Sequence, residues 1–314
     1  MKTRLAIVIS LVIIFLTLLT YFLIYGLDPE KTSQKDETLS FAITPTAILS
    51  HEHPGGADPV EHAIFINTPI EIKEDIFITG FEPIINGAPS EIIHHGILID
   101  ANDKDFICPK LPKTFFAFGG ELTALSFPKE YGLKLNKSDN LILQIMFHNP
   151  GKIDYADVIA GINLKYKSVD SSLKELEPIV INAAGCNGNW QFTVPPKQTE
   201  FTKKSGISFK PKEPVELIIG GAHLHKYGLG LKALINDLPT KDFVPEYDSL
   251  ENLIKIGVWS EPKLVITNND AITTETVYEN PTMYPILDAM GTLILYASPA
   301  ENFTCDISGF CFKK

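Results

Sequence analysis

Short apolar runs with a period of two recur along this chain, and proline, glycine, asparagine and aspartate fill the stretches between them. Ile70-Glu-Ile-Lys and Ile76-Phe-Ile-Thr alternate in this way. Ile92 to Ile99, Leu141 to His148, Val158 to Tyr166, Val215 to His225, Leu229 to Ile235 and Thr292 to Tyr296 follow. Alternation sends successive side chains to opposite faces, so each run reads as a strand with one buried face. Helical periodicity is scarce, and Leu250 to Ile256 is the best short candidate. The 314 residues include 21 glycines and 22 prolines. Many short strands at this spacing predict an all-β protein built of sandwiches or barrels. The length suits two domains of about 130–140 residues each. The charged stretch Ser168 to Glu177 marks a boundary between a domain over 61–168 and one over 169–314.

The N-terminus sets the compartment. Lys2 and Arg4 precede an uncharged run from Leu5 to Leu27, long enough to span a bilayer as a helix. Residues 1–27 therefore read as a membrane anchor, with a cleaved signal peptide as the rival reading. The run ends in Tyr-Gly-Leu-Asp-Pro without the small-x-small site of a signal. Positive charge ahead of the span directs the rest of the chain to the extracytoplasmic side. Residues 28–60, polar and broken by Pro and Gly, read as a stalk. The net charge is −11 and no basic stretch interleaves with aromatics, which excludes a nucleic-acid partner. Four cysteines in an exported chain predict disulfides. Three connectivities are open; a local Cys305–Cys311 pair would leave Cys108 with Cys186.

Chemistry concentrates in the eight histidines. His223-Leu-His225 ends a strand-like run, and residues i and i+2 share a strand face, so both imidazoles can reach one ion. Lys226-Tyr-Gly reads as the turn that closes the strand. His94-His95 is harder, because strand neighbours face opposite ways. Both can serve one ion only at a bulge or a strand end, an irregularity that Gly96 permits. His148 closes Leu141 to His148, where a lone histidine is ordinarily structural. Met290 enters an apolar strand, where a methionine is ordinarily core filler.

The order of these pieces resembles the copper type II, ascorbate-dependent monooxygenases. Ile76-Phe-Ile-Thr-Gly-Phe-Glu-Pro followed by His94-His95-Gly-Ile-Leu-Ile is similar to the family's strand and its His-His-Met motif. Leu143-Gln-Ile-Met-Phe-His148-Asn-Pro resembles the segment with its third histidine. Gly220-Gly-Ala-His223-Leu-His225-Lys-Tyr-Gly228 matches its His-x-His-x-x-Gly motif, and Asp288-Ala-Met290-Gly-Thr-Leu resembles the segment with its methionine ligand. The resemblance is discontinuous but runs from about residue 60 to 300. It implies two tandem antiparallel, jelly-roll-like β-sandwich domains with one copper on each. His94, His95 and His148 would hold the copper that supplies electrons. His223, His225 and Met290 would hold the copper that binds O₂, and a thioether beside imidazoles suits Cu(I).

By this resemblance the chain is a copper- and ascorbate-dependent monooxygenase that hydroxylates a C–H bond of a small-molecule substrate with O₂. Two departures bear on the substrate. The peptide-amidating branch binds its substrate carboxylate through an arginine just before the His-x-His and a tyrosine after the methionine. Those positions are Gly221 and Ile294 here, and Gly96 follows His-His where the family often has methionine. A non-catalytic copper-binding or copper-delivery protein on the same scaffold is the second reading. A β-sandwich interaction protein with incidental histidines is the third.

Overall fold

The computed structural model describes residues 36–50, 64–121, 124–149, 151–169, 171–186, 190–205, 210–211, 213–249, 253–261 and 263–300. The anchor expected over 1–27, much of the stalk, and Cys305 and Cys311 lie outside the described residues. Among the described residues no helix is long and apolar enough to cross a membrane.

The alternating runs become strands, and regular structure among the described residues is β apart from one 3₁₀ turn, Ser90–Ile92. One four-stranded antiparallel sheet orders Ile64–Ile70, Leu141–Phe147, Ile93–Lys104 and Pro112–Phe118. A second orders Gln198–Lys204, Ile272–Asn280, Gly228–Ile235 and Leu238–Phe243. A larger sheet accompanies them. There Lys174–Asn182 lies beside Ile286–Ser298, and that strand beside Val215–Leu224. The larger sheet takes in strands from both halves of the sequence, joined where Lys174 to Leu176 pair in parallel with Tyr131 to Leu133. The arrangement is that of β-sandwiches.

Sheet faces bury where the period of two says they should. Leu141, Leu143, Ile145 and Phe147 are all sealed from solvent. Two apolar clusters result. One gathers around Phe81, Phe116 and Phe147, with the Phe81 and Phe116 rings stacked at 4.3 Å. The other gathers around Tyr278, Phe243, Leu293 and Leu295. At about 25 cal/mol per Å² of apolar surface, such layers supply the main drive to fold.

Two expectations need correction. Leu250 to Ile256 is not helical where it is described. Leu253–Lys255 is a strand paired with Glu246–Tyr247. A segment this short gains little from helical hydrogen bonding and meets its backbone needs through a partner strand instead. The strand expected over Ile70 to Lys73 ends at Ile70.

Cys108 and Cys186 form a disulfide, 78 residues apart in sequence. The turn that carries Cys108 is organised by Asp105, which is buried and whose Oδ1 accepts from the backbone N–H of Ile107 and of Cys108. Burial pushes the Asp105 carboxyl up to about 6, against the pull of those two donors. A raised folded-state value means that this group stabilises the fold below its ordinary value of 3.8 and loses that contribution as pH rises through about 6. Asp105→Asn keeps the acceptor and removes the charge. The stability of the wild type relative to this variant should therefore fall by about 2–3 kcal/mol between pH 3.5 and pH 7.5. Guanidinium unfolding of both proteins across that range checks it, and parallel curves would refute it.

Candidate metal centre

The two histidine-bearing runs end at the same place. His223 is the penultimate residue of Val215–Leu224, in register with Thr292 of the neighbouring strand. His225 follows directly. The turn closes as expected, with Gly228 N–H donating to the His225 carbonyl and Tyr227 at φ 68°. The imidazoles of His223 and His225 sit 5.3 Å apart, nearly perpendicular.

His94-His95 shows the irregularity that strand geometry requires. On the adjoining strand Ile93 opposes Phe147 and His95 opposes Met146, so the register slips and His94 is the extra residue of a bulge. Both rings then lie on one side, 4.3 Å apart. Gly96 has its own reason to be glycine, because a β-carbon there would stand 2.0 Å from the Phe118 ring. The methionine common in the resembled family would displace that ring.

All five histidines converge. His94 lies 4.5 Å from His225, 6.5 Å from His223 and 6.0 Å from His148, ring centre to ring centre. His95 lies 4.6 Å from His223 and 5.1 Å from His225. Met290, on Ile286–Ser298, is buried and lines a cavity together with His95 and His223. The family resemblance implied two sets, His94, His95, His148 and His223, His225, Met290. The geometry instead draws its tightest group from both. Ligand nitrogens of His94, His95 and His225 all lie within 4.8 Å of one another. Two nitrogens bonded to one ion at ~2.0–2.1 Å are at most about 4.2 Å apart, so a small side-chain adjustment suffices.

The hydrogen bonds explain what the cluster lacks. His225 Nδ1 is 2.5 Å from the Asp288 carbonyl oxygen, which can only accept, so Nδ1 carries the proton. His223 Nδ1 is 2.7 Å from Glu121 Oε1 and likewise donates. A ring that carries its proton on Nδ1 offers its Nε2 as an acceptor. Both Nε2 atoms point at His95 Nε2, from 2.8 Å for His223 and 3.2 Å for His225. His95 can supply at most one proton there. Burial, foremost, holds both His94 and His95 well below the usual histidine range, and neighbouring imidazoles add to the effect. The cluster is thus rich in acceptors and short of positive charge. A cation fits that donor set, and the Nδ1–H bonds to Glu121 and Asp288 would fix the ring orientations of its ligands.

Two tyrosines hold the frame. Tyr278 Oη accepts from the backbone N–H of His225 at 2.9 Å and of Met290 at 3.1 Å, and donates to the Met290 carbonyl. Burial keeps its phenol well above the usual range, so the proton stays. Tyr247 Oη donates toward the carbonyls of His225 and Gly228. Sequence reasoning missed Glu121, Tyr247, Tyr278 and Asp288 as contributors. Asp288 alone had a signal, two residues before Met290. The other three reach the site from 102, 22 and 53 residues away from their partners.

No protein-family model matches the chain, and no curated protein matches it. Among solved structures, it is similar to the major capsid protein P2 of bacteriophage PM2. That alignment has a TM-score of 0.32 and 8% identity, and covers 82% of this chain and 97% of that one. It is also similar to PNGF-II, with a TM-score of 0.36 and 10% identity over 83% of this chain and 65% of that one. Likenesses this distant carry no argument about what the chain does.

Proposed function

We propose that this chain is a copper-dependent, ascorbate-driven monooxygenase of two tandem jelly-roll-like sandwich domains, anchored by residues 1–27 and facing the extracytoplasmic side. The observation that supports it most is the convergence of the Nε2 atoms of His223 and His225 on His95, beside a cavity that Met290 shares. Imidazoles with a thioether nearby, and no cysteine thiolate among them, suit copper better than a structural zinc. Five imidazoles and a thioether exceed the roughly four donors that one ion takes, so two ions per chain is the expected capacity. Filling both sites requires the His95–His223 contact to open. The Cys108–Cys186 disulfide accords with an oxidising compartment.

Bound copper would supply the one-electron chemistry by which two electrons from ascorbate, two protons and O₂ place one oxygen atom in a C–H bond and release the other as water. The protein's own residues hold and aim. Glu121 and the Asp288 carbonyl fix the His223 and His225 tautomers, and Tyr278 ties the backbone of His225 to that of Met290.

Copper content by mass spectrometry, with oxygen uptake under ascorbate, tests the proposal on the purified full chain. Two coppers are expected, with one lost in His225→Ala and one in Met290→Ala. A chain that binds at most one copper, indifferent to Met290→Ala, would overturn it. Full copper loading without ascorbate-dependent oxygen uptake on any substrate would favour the copper-delivery reading.

A further inference from the structure

A cavity of about 350 Å³ opens against the imidazoles of His95 and His223 and against Met290. Its walls are mostly apolar, with Phe81, Phe118, Trp190, Ile294 and Tyr296 as large contributors, and Gln144, Gln191 and Thr292 add uncharged polar groups. Among the described residues that line it there is no lysine or arginine. Its one carboxylate, Glu121, is buried and already engaged by His223 Nδ1 at 2.7 Å. An anionic ligand entering this space would shed its hydration with no cationic side chain in return, which is costly.

Part of the volume is left by a missing side chain. Gly220 and Gly221 are consecutive strand residues and face opposite ways. A β-carbon on Gly220 would strike Leu295 Cδ2 at 2.4 Å, whereas one on Gly221 would meet nothing within 4 Å. Gly221 therefore faces the open cavity. A glycine inside a strand sacrifices conformational and packing energy, and it commonly marks a place where a ligand approaches the backbone. Its backbone is held on both sides, by pairing with Ile294 and with Val258.

We propose that this cavity binds an apolar small molecule without an anionic group, aromatic or branched aliphatic, which lies along Gly221 with one end against His95, His223 and Met290. The proposal deepens the monooxygenase reading by naming its substrate class and rests on that reading only for what happens after binding. A peptide with a free terminal carboxylate does not fit.

The test uses metal-free full-length protein in lipid nanodiscs and calorimetric titration with indole and indole-3-carboxylate. Indole should bind, and indole-3-carboxylate should bind at least about tenfold more weakly. Gly221→Phe fills the cavity from its open side and should weaken indole at least about tenfold, and Gly221→Ala should weaken it less. Titration of empty nanodiscs subtracts lipid partitioning, which differs between the two ligands. Copper content of the Gly221 variants should stay at the wild-type level. Equal binding of indole-3-carboxylate, or an indole affinity unmoved in Gly221→Phe, would overturn the proposal. Because copper is absent from the titration, loss of the metal reading would leave this result standing, and a negative result would leave the metal reading intact.

Discussion

Replacing Cys108 and Cys186 together by alanine should lower the unfolding free energy by about 3–5 kcal/mol. The bridge closes a loop of 78 residues. Chain-entropy arithmetic for a loop of that length gives about 4.5 kcal/mol, taken almost entirely from the unfolded ensemble. The loss is comparable with the whole stability of many domains, about 5–15 kcal/mol. Guanidinium unfolding of the oxidised wild type, the wild type under reductant and the double variant measures it. The last two should coincide. A double variant within about 1 kcal/mol of the oxidised wild type would show that the reduced chain keeps this loop closed by other means. The effect reaches the site as well, because Trp190, four residues beyond Cys186, forms part of the cavity wall.

That pairing marks the limit of what the sequence could say. Four cysteines left three connectivities, and only the three-dimensional approach of the two turns chooses among them. Strand positions were legible because burial on one face writes a period of two into the chain. The histidine pair at 223 and 225 was legible for the same reason. The adjacent pair at 94 and 95 was half legible: strand geometry demanded an irregularity, and the bulge at His94 supplies it. The merging of both histidine sets into one cluster was not legible, because it depends on how the sheet carrying His94 meets the sheet carrying His223. The supporting residues were the least visible. Glu121 and Tyr278 touch their partners across 102 and 53 residues. Each is a single polar side chain with no spacing to distinguish it.

Tyr278→Phe should be the most damaging single-atom change near the centre. The hydroxyl is fully buried and uses its whole capacity, one proton donated to the Met290 carbonyl and two lone pairs accepting from the N–H of His225 and Met290. Phenylalanine fills the same space but leaves three backbone groups short of a partner. Each such group costs about 1–3 kcal/mol when buried, so a loss of about 3–5 kcal/mol is expected. Tyr247→Phe is the internal comparison. Its hydroxyl has one proton to share between two carbonyls and the residue is less deeply sealed, so about 1 kcal/mol is expected. Tyr278 also sets the spacing between the backbone of His225 and that of Met290, one ligand of nitrogen and one of sulfur under the proposed function. Copper affinity per folded molecule should therefore fall by tenfold or more in Tyr278→Phe, about the size seen when an outer hydrogen bond to a ligand is cut. It should hold in Tyr247→Phe. Equilibrium unfolding and competitive chelation, run on both variants, separate the two effects. A Tyr278→Phe protein that loses stability but binds copper as the wild type does would reduce this tyrosine to a packing residue, and would mean that His225 and Met290 do not serve the metal through their shared anchor.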